Sequence, residues 1–182
     1  ARRYCIGCMT RVSLVTGGSR GIGFAVATSL LNRGDSVAIT GTSAERVHEA
    51  ANELANHAAA DRVLPVVCDV REAPSVESAM RAIEDRFGGI DVLVNNAGVG
   101  VGAPIADLSE DEWHRIIDTN LTGVYHCCKA AIPRLRRRGG GWITNKNGAY
   151  VGSAGGTGTA GFISVTVNGV VDAQGQGSPG IF

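Results

Sequence analysis

Residues 16–23 read Thr-Gly-Gly-Ser-Arg-Gly-Ile-Gly and directly follow the apolar run Val-Ser-Leu-Val at 12–15. An apolar strand that leads into a glycine-rich turn and then a helix is typical of a dinucleotide-binding site. Gly17 permits the tight turn, Gly21 removes a side chain where the backbone approaches a pyrophosphate, and Gly23 lets the next helix pack closely against the strand. That helix directs its positive N-terminal end at the phosphates. An ordinary glycine loop is the alternative, and the readable strand and helix on either side disfavour it.

The rest of the chain alternates between strand and helix patterns. Strands are predicted at 11–16, 36–40, 62–67, 91–95 and 141–145, and helices at 22–33, 43–58, 74–87 and 110–137, the last with a break near Pro133. The strands are continuous apolar runs, as expected for parallel strands that are covered on both faces. This alternation predicts an α/β fold of the Rossmann type, a doubly wound parallel sheet in a three-layer αβα arrangement. Its ligands bind at the carboxyl ends of the strands.

Composition and charge exclude several classes of function. The 182 residues suit one domain, 44% of them are hydrophobic, and the net charge of zero predicts no general attraction to nucleic acid or to a membrane surface. No apolar stretch is long enough to span a bilayer. Cys5 and Cys8 form a Cys-x-x-Cys pair without a second pair at zinc-finger spacing, so no metal site is expected. Reduced thiols and the missing apolar core of a secretion signal predict a cytoplasmic protein.

Three segments are predicted along the chain. Residues 1–10 form an N-terminal extension, 11–150 form the dinucleotide-binding domain, and 151–182 form an irregular tail of the same domain. The tail contains nine glycines. Residues 152–158 are predicted to be a flexible loop, and 164–167 a strand.

Four motifs resemble those of the short-chain dehydrogenase/reductase family. They are the Thr-Gly-x-x-x-Gly-x-Gly turn, Asp69-Val70 after the third strand, Asn95-Asn96-Ala97-Gly98 after the fourth, and Asn120 in the long helix. They occur in the family's order between residue 11 and about residue 145. The resemblance implies an oxidoreductase that interconverts a small carbonyl compound and its alcohol with a nicotinamide cofactor.

The resemblance also implies roles for individual residues. Asp69 would contact the adenine amine, Val70 would lie against the adenine ring, and the Asn-Ala-Gly segment would line the ribose on the nicotinamide side. The asparagine has an alternative structural role, which is to tie neighbouring strands together. The candidate cofactor-binding residues are Gly17, Ser19, Arg20, Gly21, Ile22, Gly23, Thr42, Asp69, Val70, Asn96, Ala97 and Gly98.

The end of the second strand predicts NADP rather than NAD. Residues 40–43 read Thr-Gly-Thr-Ser, with no carboxylate to accept hydrogen bonds from the adenine ribose and to repel a 2′-phosphate. Arg20 brings a guanidinium to the same place, and guanidinium suits phosphate in charge and geometry. Thr42 and Ser43 are possible phosphate donors, although Ser43 is equally suited to cap the next helix.

The catalytic residues match the family only in part. In the family a Tyr-x-x-x-Lys pair supplies acid and base, a serine orients the carbonyl, and an asparagine holds a water in the proton relay. Asn120 matches the asparagine. The two lysines, Lys129 and Lys146, both precede the expected position. Tyr150 and Ser153 are the remaining candidates for the tyrosine and the serine.

Two functions therefore stay open. One is an NADP-dependent oxidoreductase of the short-chain dehydrogenase/reductase type. The other is a dinucleotide-binding pseudoenzyme or a truncated product without the catalytic pair. A homo-oligomer is possible, although the helices through which family members pair are not recognised in this sequence.

Overall fold

The computed structural model describes residues 10–57, 60–102 and 104–145, and the backbone of two further strands at 149–153 and 165–167. Nearly all of the predicted N-terminal extension, with Cys5 and Cys8, lies outside the described residues. So do Lys146 and most of the predicted tail.

The described part alternates strand and helix in the predicted order. The strands are β1 (Val12–Val15), β2 (Ser36–Gly41), β3 (Val63–Val67), β4 (Val92–Asn95), β5 (Trp142–Asn145), β6 (Ala149–Ser153) and β7 (Val165–Val167). The α-helices are α1 (Gly21–Asn32), α2 (Ala44–Leu54), α3 (Ala73–Phe87), α4 (Glu110–Ile117) and α5 (Gly123–Arg137). Together the strands form one sheet in the order β3-β2-β1-β4-β5-β6-β7. The first five strands are parallel, which confirms the Rossmann-type fold.

Two apolar clusters cover the two faces of this sheet. Helices α1 and α2 pack on one face, where the cluster includes Ala27, Leu31, Val47 and Leu54 with Val15, Val37 and Ile39. Helices α3 and α5 pack on the other, where it includes Val76, Met80, Ile83, Ala131 and Leu135 with Leu14 and Leu93. The central strands β1, β2 and β4 are buried at every residue except Gly41, the last of β2, because helices cover both sides. The arrangement is the predicted three-layer αβα structure.

The far end of the sheet differs from the prediction. β6 runs antiparallel to β5 and β7 runs antiparallel to β6, so the sheet is not parallel throughout. Residues 152 and 153 belong to β6, so their assignment to a loop was wrong, and the predicted boundary after residue 150 falls inside this strand. Pairing with β5 supplies the backbone hydrogen bonds that a glycine-rich segment lacks on its own. The strand predicted at 164–167 is present as β7.

The long helix is interrupted, but not at the predicted place. One π-helical turn, Asp118–Thr122, separates α4 from α5, and Pro133 lies inside α5. In this turn the Gly123 amide donates to the Asp118 carbonyl, five residues back rather than four. Gly123 also lies so close to Val70 that an added Cβ would be 2.7 Å from a Val70 methyl group.

An ion-pair network joins α3 to α5. Arg134 is 10% exposed at its side chain and donates to both oxygens of Glu77, at 2.6 and 3.1 Å, and to Glu84 at 3.0 Å. Hydrogen bonds from Arg134 lower the pKa of Glu77. Burial raises the pKa of Glu84, but hydrogen bonds from Arg134 and Arg137 outweigh it and lower that pKa.

Arg134→Ala is expected to lower the free energy of unfolding by about 2–3 kcal/mol, because two partly exposed carboxylates lose a buried cation. Urea unfolding measures this, with Arg136→Ala, at an exposed position on the same helix, as the control. Folding lowers the pKa of both carboxyl groups. Their contribution to stability is therefore fully present above the pKa values of the unfolded chain, and it is lost as the pH falls through the pKa values of the folded chain. If the difference in unfolding free energy between the wild type and Arg134→Ala stayed constant in acid, it would contradict the stabilising role of these ion pairs.

Candidate functional site

A cavity of about 560 Å³ opens at the carboxyl ends of β1 to β4. This volume lies within the range of small-molecule sites. All twelve predicted cofactor-binding residues line it: Gly17, Ser19, Arg20, Gly21, Ile22, Gly23, Thr42, Asp69, Val70, Asn96, Ala97 and Gly98. The structure thus brings three of the four sequence motifs to the cavity, and the fourth, Asn120, is not among the lining residues.

Hydrogen bonds lock the glycine turn to the end of β4. The Asn96 side-chain amide donates to the carbonyls of Thr16 and Gly17 at 2.9 and 3.0 Å. The Thr16 hydroxyl accepts from the backbone amides of Asn96 and Ala97, both at 3.0 Å. The Asn96 side chain therefore has the structural role considered above, and its amide nitrogen is committed to the turn.

The three glycines of the turn serve different purposes. Gly17 has φ +63°, and an added Cβ would be 2.9 Å from the Ala97 Cα. Gly21 has φ +57°, and an added Cβ would meet no atom within 4 Å. A Cβ on Gly23 would overlap the Asn96 amide and the Gly17 carbonyl. Gly23 thus lets α1 sit on the glycine turn itself, which corrects the expectation of close packing on the strand.

The N-terminus of α1 is open to an anion. Its N-cap residue, Arg20, is extended, and its side chain makes no capping hydrogen bond. The first backbone N–H groups of a helix have no partner inside the helix, and they carry the positive end of its dipole. With glycine at positions 21 and 23, these N–H groups face a cavity that no side chain fills. Such a place suits a phosphate.

Two arginines line the cavity, Arg20 in the turn after β1 and Arg46 at the start of α2, the helix that follows β2. Arg20 and Arg46 are exposed, both line the cavity, and neither takes part in an ion pair among the described residues. Ser43 accepts a hydrogen bond from the Arg46 amide at 3.4 Å and caps α2, so the capping alternative for Ser43 is the one observed. The hydroxyl of Thr40 lies at the end of β2, buried and without a hydrogen-bond partner in the described part of the chain.

Asp69 and Val70 follow β3 at the outer end of the cavity. The Ser75 hydroxyl accepts from the Asp69 amide at 3.1 Å. The Arg71 side chain donates hydrogen bonds to the Asp69 carboxylate, and these hydrogen bonds lower the pKa of Asp69. On the other side, His126 of α5 contacts the Val70 carbonyl at 3.1 Å through Nδ1.

Asn120 lies in the π-helical turn beside the cavity. Its side chain accepts from the Val99 amide and donates to the Val99 carbonyl, both at 2.8 Å. Val99 and Thr119 line the cavity, and Asn120 is not among the lining residues. The side chain of Asn120 thus holds the loop after β4 against the helix.

The strand register places the two remaining catalytic candidates at opposite ends of β5. Tyr150 pairs with Thr144, next to the carboxyl end that faces the cavity side of the sheet. Ser153 pairs with Trp142, three residues before Asn145, which is about 10 Å along a strand. This register disfavours a catalytic role for Ser153, whereas the role of Tyr150 stays a prediction.

A Tyr-x-x-x-Lys spacing that the sequence analysis missed runs from Tyr125 to Lys129 in α5. The Lys129 ammonium lies over the Tyr125 ring, 5.4 Å from its centroid. Both residues are exposed, and neither lines the cavity. The pair therefore has the spacing of the family motif but does not lie at the cavity.

Three cavity arginines were also missed: Arg46, Arg71 and Arg115. Arg46 had a usable signal, since it stands three residues after a predicted helix cap at the end of the second strand. Arg71 stands two residues after Asp69, within reach of its carboxylate. Arg115 had no such signal, because its place depends on how α4 packs against the sheet.

The buried thiols are unsuited to nucleophilic chemistry. Burial raises the pKa of Cys68, Cys127 and Cys128, that of Cys127 to about 12, so all three are protonated at neutral pH. Among the described residues, no three His, Cys, Asp or Glu side chains are grouped so that they could hold a metal ion. None of the helices described is both long and apolar enough to cross a membrane.

Comparisons with known proteins agree with this architecture. The sequence profile described as short chain dehydrogenase matches residues 11–161. A 3-oxoacyl-(acyl-carrier-protein) reductase from Staphylococcus aureus is 36% identical over 156 residues, which are 86% of this chain and 63% of that protein. The 2-(R)-hydroxypropyl-CoM dehydrogenase of Xanthobacter autotrophicus is 40% identical over 140 residues, which are 75% of this chain and 56% of that protein.

A solved structure shows the same fold. The alcohol dehydrogenase of Thermococcus sibiricus, complexed with 5-hydroxy-NADP, superimposes with a TM-score of 0.69 at 37% identity, covering 75% of this chain and 57% of that one. This chain belongs to the short-chain dehydrogenase family. It spans little more than half of the length of these relatives.

Proposed function

We propose that this chain is the NADP(H)-binding domain of an oxidoreductase that interconverts a small carbonyl compound and its alcohol. The observation that carries the proposal is the cavity itself, lined by the glycine-bounded N-terminus of α1 and by two arginines, Arg20 and Arg46, that form no ion pair with any described residue. Bound NADP(H) supplies or accepts the hydride in such a reaction. The relatives support this class of reaction, since they include a reductase and a dehydrogenase by name.

The residues present fit this cofactor. The first turn of α1 would hold the pyrophosphate, because its N–H groups face a space that a Cβ at Gly21 would enter freely. Arg20 and Arg46 would hold a 2′-phosphate, and the unsatisfied Thr40 hydroxyl gives this end a further polar group. Residues 40–43, at the end of β2, include no carboxylate to repel that phosphate. The alcohol dehydrogenase of Thermococcus sibiricus carries an NADP derivative, which adds support.

We expect NADPH to bind more tightly than NADH. Arg20→Ala and Arg46→Ala should each weaken NADPH binding by roughly 10-fold to 100-fold, because each removes a charge-assisted hydrogen bond that contributes about 1.5–3 kcal/mol. NADH binding should change little. Fluorescence titration of each cofactor gives the dissociation constants, and Arg33→Ala, at the far end of α1, is the matched control. A wild-type preference for NADH would refute the cofactor assignment.

A second candidate function is cofactor binding without turnover. The observation in its favour is that the one Tyr-x-x-x-Lys spacing among the described residues, Tyr125 to Lys129, lies outside the cavity. The Asn120 amide is also engaged by Val99. A measurement of turnover with carbonyl substrates separates the two candidates.

The compartment is part of the proposal. Cys68 and Cys127 are buried free thiols, and unpaired cysteines of this kind fit a reducing compartment such as the cytoplasm. The partner proposed for the domain is a small carbonyl or alcohol substrate.

A further inference from the structure

A third arginine without an ion pair, Arg115 of α4, lines the cavity. Helical spacing offers it two carboxylates, because Asp111 lies four residues before it and Asp118 three residues after it. Neither carboxylate forms an ion pair with Arg115, and no other described residue does. The side chain of Arg115 is exposed. It therefore presents to the cavity a positive charge that the described part of the chain does not neutralise.

Two contacts place the wall that carries Arg115 opposite the glycine turn. The Asn120 side chain bonds to the backbone of Val99 after β4, and Gly123 packs against Val70 after β3. The π-helical turn therefore extends from the end of β4 to the end of β3, with the ends of β1 and β2 between them. Helix α4 leads directly into this turn. Arg115 thus faces the cavity from the side of the sheet that α3 and α5 cover, while α1 and α2 cover the other side.

The charges of the cavity leave one anionic group of NADP(H) without a cation. In the proposed binding mode Arg20 and Arg46 would hold the 2′-phosphate. Arg71 is bound to the Asp69 carboxylate and adds little net charge. The pyrophosphate is charged at both of its phosphates, yet it would meet only backbone N–H groups and a helix dipole equivalent to about half a positive charge. Arg115 is the fourth arginine among the described lining residues, and it can supply the missing charge.

We infer that Arg115 binds the pyrophosphate from the wall opposite α1, an inference that rests on the proposed binding of NADP(H). The pyrophosphate would lie between the first turn of α1 and one guanidinium, which can donate to two phosphate oxygens at once. NADPH and NADH share this pyrophosphate. Arg115 therefore determines the affinity for both cofactors, whereas Arg20 and Arg46 determine the preference between them.

The test is a calorimetric titration of the wild type, Arg115→Ala and Arg115→Lys with NADPH and with NADH. Arg115→Ala should weaken the binding of both cofactors by about tenfold, because both lose the same charge-assisted hydrogen bonds. This loss should become smaller at high ionic strength, which screens an exposed charge. Arg115→Lys should restore part of the affinity, since an ammonium group keeps the charge but lacks the planar fork.

Arg136→Ala is the matched control, because it removes the same charge from an exposed position on α5 that does not line the cavity. It should leave both dissociation constants unchanged. Truncation of the Arg115 side chain spares the hydrogen bond that the Thr119 hydroxyl donates to the Arg115 carbonyl at 2.8 Å, so α4 should stay folded. Thermal unfolding of each variant checks this.

Each other outcome has a defined meaning. A loss confined to NADPH would make Arg115 a ligand of the 2′-phosphate and overturn the inference, as would unchanged binding of both cofactors or the absence of any rescue by lysine. An equal loss in Arg136→Ala would show a general effect of charge and would also overturn it. If the wild-type chain binds no nicotinamide dinucleotide, the proposed function fails, and this inference fails with it.

Discussion

Gly21→Val is expected to weaken NADPH binding by about 100-fold or more, which is about 2.7 kcal/mol, while the domain stays folded. Gly21 lines the cavity, and a side chain there meets no protein atom within 4 Å. The new methyl groups would instead occupy the space in front of the first turn of α1, where a pyrophosphate would accept its hydrogen bonds. The positive φ of +57° adds backbone strain of about 1–2 kcal/mol.

The chain offers a matched control for that strain. Gly34 has φ +94° and also has no atom near an added Cβ, but it lies beyond the other end of α1. Gly34→Val should lower the unfolding free energy by a similar amount and leave NADPH binding intact. Circular dichroism and cofactor titration, performed on both variants, separate folding from binding. If Gly21→Val binds NADPH as tightly as Gly34→Val does, the glycine turn shapes the backbone but does not bind the pyrophosphate.

The central architecture and the position of the site were predictable from local pattern. The three central strands, β1, β2 and β4, are short, largely apolar runs, and such runs are expected to be buried on both faces in a parallel sheet covered by helices. Because polar and glycine motifs follow these runs directly, they had to meet at the carboxyl edge. The cavity lined by Gly17, Asp69 and Asn96 follows from that geometry alone.

Features that depend on contacts distant in sequence were not predictable. β6 is a strand because β5 offers it an unpaired edge, which glycine-rich composition does not reveal. The long helix is interrupted at the π-helical turn and not at Pro133. In this turn the Asn120 side chain forms hydrogen bonds with the backbone of Val99, which lies 21 residues earlier in the chain. Arg115 enters the cavity only through the packing of α4.

This chain is expected to reduce carbonyl substrates very slowly. General acid–base catalysis by a positioned group typically contributes about 10²-fold to 10⁴-fold, and a lysine beside the tyrosine makes the phenol a better proton donor. Tyr125 and Lys129 lie outside the cavity, and the side chain of Asn120 is bound to Val99. If Tyr150 donates no proton, the described residues offer only the proximity of hydride and carbonyl, so the rate should fall short of that of a family member with the catalytic pair by roughly this factor.

Loss of NADPH absorbance with a panel of ketones, aldehydes and quinones measures the rate, with Staphylococcus aureus 3-oxoacyl-(acyl-carrier-protein) reductase as the reference enzyme. Two tyrosine variants locate any proton donor. Tyr125→Phe tests the pair Tyr125 and Lys129, which has the family spacing but lies outside the cavity, and this substitution should leave the residual rate unchanged. Tyr150→Phe tests the residue that the strand register places beside Thr144, near the carboxyl end of β5. Rapid turnover that Tyr150→Phe abolishes would show that this strand supplies the acid, and it would refute cofactor binding without turnover.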